Sequence, residues 1–171
     1  YEKGTEEYYN QIYDRYAHGE FVHEDSIRSK DTTVYKTAKG RRVYGGGGIR
    51  PDIFAPVDTS IESEYVYAVR SFIPEFVYKY SSKHADVLEK YSSIEDFKKN
   101  FNITGELQKE FYSYAENAGL KRNPEREKKA EEKIKLYLKA FFAKQIWRMD
   151  GYYNIANSDD KVVARAMEVL K

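Results

Sequence analysis

From Ser60 to its end the chain is punctuated as a series of helices, and this limits the fold more than any other feature. Apolar residues recur three and four apart, between residues that start and stop helices. Ile61 to Phe72 is one such segment. Pro74 suits a first helical turn, where its missing N–H is no loss, and opens a helix expected to run to about Tyr91. Ser93 opens a short helix. Thr104 caps TGELQKEFYSYAENAG, and Gly119 fits the left-handed position that closes it. Asn123-Pro124-Glu125 starts the longest helix. Its inner face is expected to carry Ile134, Leu138, Phe141, Phe142, Gln145 and Met149, with Trp147 toward the other side. Ser158-Asp159-Asp160 is expected to cap a last helix, Val162 to Leu170.

The earlier residues have a different pattern. Thr5 to Tyr16 places Tyr8, Tyr9, Ile12, Tyr13 and Tyr16 on one helical stripe, with Thr5 as N-cap and Gly19 past the end. The stretch EFVHEDSIRS is mixed and reads as irregular. TTVYKT and RRVYG, on either side of Ala38-Lys39-Gly40, read as a β-hairpin with Gly40 in the turn. Pro51 to Val57 reads as a short extended strand, opened by Pro51 and interrupted by Pro56. The expected fold class is mainly α with a small β element (α+β), a hairpin and a short strand followed by a multi-helix bundle. The domains are expected at 1–59 and 60–171.

Composition narrows function mostly by exclusion. With no cysteine there is no disulfide framework and no Cys-based zinc site. A formal charge of +1 argues neither for nor against a polyanionic partner, and no apolar run is long enough to span a membrane. The 17 tyrosines, apolar in body and polar at the tip, suit shallow helix packing or an interface. The chain opens on Tyr1 in a polar stretch and reads as a piece of a longer protein.

Four features invite a chemical reading. The run Gly45-Gly46-Gly47-Gly48 continues as Ile49-Arg50-Pro51, without the Gly-Lys-Ser/Thr that a phosphate loop requires. It reads instead as a place for tight turning and close backbone approach. His18 and His23, near Glu20, Glu24 and Asp25, stand five apart across a glycine, which suits a solvated loop better than a zinc helix. Ser158 and Lys161 match Ser-x-x-Lys, but Ser followed by acids marks a helix start; Ser60 with Lys83 lacks the strand-to-turn setting of a nucleophile. Lys121 to Arg148 is rich in Lys and Arg, yet its aromatics fall on the apolar stripe, so a solvated face is expected and no nucleic-acid partner. No catalytic residue, metal or cofactor is expected in this chain.

Taken together, VYKTAKGRRVYGGGGIRPDIFAP resembles the end of the catalytic domain of carboxy-terminal processing peptidases, also called tail-specific proteases. The matching residues are Thr37, Gly40, Arg41, Gly45, Gly46, Gly47, Gly48, Ile49, Pro51, Asp52 and Ile53. The Tyr-rich start and the helical tail resemble members of Bacteroides-like type. The resemblance implies an exported, periplasmic serine peptidase that cuts proteins near their C-termini. It further implies a Ser-Lys dyad and a PDZ-like substrate domain, both upstream of the glycine run. Residues 1–39 contain neither, so this piece is expected to be structural and inactive alone. Its implied partners are the upstream catalytic and PDZ-like parts, protein substrates reached through them, and a second copy. The other expectation is a non-catalytic module whose Tyr-rich helices bind protein.

Overall fold

The computed structural model describes residues 4–27, 33–44, 53–57 and 63–170, and divides the chain into two compact units, 1–58 and 59–171. The fold is mainly helical, with one two-stranded antiparallel hairpin.

The first unit begins with α1 (Gly4–Ala17). The helix starts one residue before Thr5, which therefore lies inside it rather than capping it. Gly19 takes φ 75° just past the end, and the Glu20 N–H returns to the Arg15 carbonyl at 3.1 Å. One 3-10 turn follows, Glu24–Ser26. Strands β1 (Val34–Lys36) and β2 (Arg42–Tyr44) then pair with Tyr35 opposite Val43. Among the described residues the segment 53–57 joins no sheet, contrary to the expected strand. Pro56 has no N–H to give a ladder, and the segment is tied instead by a Val57 N–H bond to the Phe21 carbonyl at 2.9 Å.

The second unit holds α2 (Ser63–Arg70), α3 (Ile73–Lys83), α4 (Ala85–Glu89), α5 (Ile94–Asn100), α6 (Gly105–Asn117), α7 (Pro124–Ala156) and α8 (Lys161–Val169). Helix α7 is the hub, packed against α2, α3 and α5. The starts of α5, α6 and α7 follow the capping rule: Ser93, Thr104 and Asn123 accept from the N–H groups of Asp96, Leu107 and Arg126 at 3.1, 3.2 and 3.1 Å. The helix expected from Pro74 to Tyr91 is broken at His84 (φ −130°, ψ 47°), whose ring lies 4.4 Å from that of Tyr80. The last helix is capped by Asp160, which accepts from the N–H groups of Val162 and Val163. Ser158 does not cap it; its hydroxyl donates to the Ile155 carbonyl at 2.7 Å.

The core is aromatic. Phe97 stacks on Phe101 at 4.5 Å, Phe101 meets Phe142 at 5.2 Å, and Phe76 meets Phe111 at 5.2 Å. Ile134, Leu138 and Phe142 of α7 are buried as expected, but Gln145 and Met149 are exposed and Trp147 packs on Phe97 at 5.5 Å. For Met149 the reason is a break in α7: Trp147 (φ −118°, ψ 17°) and Arg148 (φ 55°, ψ −137°) leave the helical region. The face that would have continued the stripe turns away there.

Candidate interaction surface

Each part of the hairpin turn has a local cause. The Thr37 N–H bonds the Arg41 carbonyl at 2.9 Å, and the Gly40 N–H bonds the Thr37 carbonyl at 2.8 Å. The Thr37 hydroxyl oxygen accepts from the Arg41 N–H at 3.1 Å. Gly40 takes φ 81°, where a side chain would be strained although nothing crowds the site. Thr37, Gly40 and Arg41 thus form one closed turn. Gly45, Gly46, Gly47, Gly48, Pro51 and Asp52 lie outside the described residues, as does Ser60.

Helix α1 presents the most distinct surface of the first unit. Tyr9, Tyr13 and Tyr16 sit at spacings of four and three, so they line one face, and they are 57%, 73% and 63% exposed. The far end of that face is pinned. Arg15 bonds Glu20 at 2.8 Å, its guanidinium lies 5.3 Å from the Phe21 ring, and the Tyr16 ring lies 6.2 Å from Phe21. Val34 and Tyr35 of β1 are also exposed. Among the described residues of this unit no apolar side chain is buried; Glu20 alone is.

The residues weighed for metal binding do not converge. Glu20 is engaged by Arg15, and the His18 Nδ1 faces the Asp14 carbonyl at 2.6 Å. Among the described residues no three His, Cys, Asp or Glu side chains are placed to hold a metal ion, and no helix is long and apolar enough to cross a membrane.

The second unit carries a polar cluster that was not foreseen from the sequence. Arg122 grips Glu127 with two bonds at 2.8 and 2.7 Å, and the Tyr65 hydroxyl donates to the same carboxylate at 3.1 Å. The Arg122 hydrogen bonds hold the Glu127 carboxyl below its ordinary range. Burial, helped by the Glu127 charge, pushes the Tyr65 phenol up to about 12. The Arg122 guanidinium also covers the ring of Tyr112 at 4.8 Å. Through the Tyr65–Glu127 bond this cluster ties α2 to the start of α7. The Arg-x-Pro-x-x-Glu spacing around the Asn123 cap was its only sequence signal.

No match was found among curated proteins or among solved structures. Residues 65–148, just under half the chain, match a family model described as Family of unknown function (DUF8443); the similarity runs from α2 to the break in α7 and stays within the second unit.

Proposed function

We propose that this chain is a non-catalytic protein-interaction module, in which the helical second unit is a folded scaffold and the first unit offers the contact surface. The observation that carries the reading is the exposed Tyr9, Tyr13 and Tyr16 stripe on a unit whose described residues bury no apolar side chain. Tyrosine gives large, stiff contact area with a polar tip at small entropic cost, so such a stripe suits a protein partner. The hairpin supports the same reading, because two three-residue strands alone are marginal in water and gain stability by packing or pairing with a neighbour. The test is a photo-crosslinking residue at position 13, used in the source cells. Recovery of one defined protein, whose purified form binds the chain and loses at least roughly tenfold affinity when all three tyrosines become serine, supports the module. Labelling without a defined product, or unchanged affinity, removes it.

A second reading is favoured by the Thr37–Arg41 turn, whose hydrogen bonds and Gly40 conformation suit a Thr-x-x-Gly-Arg turn like the one that the sequence resembles in carboxy-terminal processing peptidases. In this reading the first unit's partner is the upstream catalytic part of one exported, periplasmic serine peptidase, and residues 60–171 are its helical appendage. The Ser-Lys dyad would lie upstream. The parent gene decides: upstream sequence encoding a Ser motif and a later Lys, with peptide hydrolysis by the full-length product, supports the peptidase. A gene without them ends this reading and leaves the module.

A further inference from the structure

Trp147 and Arg148 divide α7 into two helical legs. Of its 33 residues only Trp147 and Arg148 depart from helical geometry. Arg148 has φ 55° with ψ −137°, a combination that L-residues rarely adopt and that stores strain. Beyond it the chain folds back. A Cβ on Gly151 would lie 2.5 Å from the Ala143 carbonyl oxygen, so the two legs touch backbone to backbone. The returning arm runs from Met149 to Leu170 and is seated through residues 152–159, while α8 buries no side chain. Ile155 is 1% exposed, the Tyr152 ring meets Phe141 at 5.2 Å, Arg70 donates to the Tyr152 hydroxyl at 3.0 Å, and Lys133 pairs with Asp159 at 3.3 Å.

We propose that Trp147–Arg148 is an exchange hinge: α7 straightens there, and the arm from Met149 onward docks in the same seat on a second copy of this chain. The arm's seat is built from Arg70, Lys133, Phe141 and Ala143. An identical chain offers that seat residue for residue. Only the hinge changes, from a strained two-residue turn to helix. Short hinges under strain are the ones that invite such exchange. Association costs rigid-body freedom, so the exchanged dimer gains at high protein concentration.

Two hinge variants push in opposite directions. Arg148→Ala keeps the strain of the turn and favours the straight helix. Arg148→Gly relieves the turn and penalises the helix. The full chain, wild type and both variants, is refolded at high concentration and separated by size-exclusion chromatography with light scattering. The expected result is a dimer for wild type and Arg148→Ala and a monomer for Arg148→Gly, with dimer dissociation constants roughly 100-fold apart between the variants. Exchange is read directly from mixed nitrogen-14 and nitrogen-15 chains treated with a carbodiimide, which joins Lys133 to Asp159 as an amide. Mixed-isotope linked peptides in the dimer peak support the hinge. Dimers holding only single-isotope links, or monomers at every concentration, overturn it. Should Arg148→Ala fail to fold, the wild-type fractions alone distinguish these outcomes.

Discussion

Helices α1 and α3 are both rich in tyrosine, but only α3 has a core behind it. Helix α3 adds Ile73, Phe76 and Val77, all buried, and its Tyr80 closes over Phe142 at 5.5 Å. Helix α1 offers Ile12 beside its tyrosines, and Ile12 is half-buried. Tyrosine alone leaves a polar tip that prefers water, so a tyrosine stripe with no buried apolar residue behind it stays at the surface until something covers it. The largest way to break the symmetry between these helices is in the second unit. Phe142→Ala removes a ring that is 0% exposed and touches Phe101 and Tyr80. The expected cost is about 3–5 kcal/mol, read from urea unfolding by the fluorescence of the single tryptophan, Trp147.

Gly151→Ala sharpens the contrast at the backbone. Its Cβ would meet the Ala143 carbonyl carbon at 2.9 Å as well as the oxygen, and backbone cannot rotate away as a side chain does. A loss of about 2–3 kcal/mol is expected in the same unfolding measurement, although alanine is the better helix former. An effect below the error of the method would mean that the two legs of α7 are not in contact.

The Tyr65–Glu127–Arg122 cluster gives a pH signature to the second unit. Glu127 is held below its ordinary value chiefly by the Arg122 hydrogen bonds, so its contribution is present at neutral pH and is lost as pH falls through its folded value. Tyr65 is raised to about 12 chiefly by burial. Its contribution is complete below the unfolded phenol's value and is lost as pH rises from about 10 toward about 12. Glu127→Gln is expected to cost about 1 kcal/mol at pH 7 and to flatten the acid side of the stability profile. Tyr65→Phe should flatten the alkaline side. Urea midpoints measured across pH check both, and an unchanged acid limb in Glu127→Gln would show that the carboxylate does not act through this cluster.

What was legible in the sequence was what is decided locally. Ser93, Thr104 and Asn123 announce helix starts because each cap bond closes within three residues. The hairpin was legible because Gly40 sits between two β-branched, aromatic runs. The breaks were not. His84 and Arg148 carry neither Pro nor Gly, and their conformations follow from what packs against Tyr80 and Ala143. Gly151 looks like an ordinary mid-helix glycine until the carbonyl eight residues earlier is seen beside it. The candidate surface was half legible: the Tyr9, Tyr13 and Tyr16 stripe is visible in the spacing. Its exposure is not, because the same residue type is buried at Tyr65 and Tyr112.

The smallest expected effect tests the comparison most directly. Tyr13→Ala removes a ring that is 73% exposed, from a helix whose face covers no buried apolar side chain of its unit among the described residues. If the stripe serves only as surface, unfolding of the isolated chain should change by no more than about 0.5 kcal/mol, against the several kcal/mol of Phe142→Ala. Amide hydrogen exchange across residues 4–17 should also be unchanged in the variant. A loss above about 1 kcal/mol would mean that α1 is already covered in the isolated chain. The difference between the two units would then lie in packing rather than in availability, and the tyrosine stripe would no longer be open to a partner.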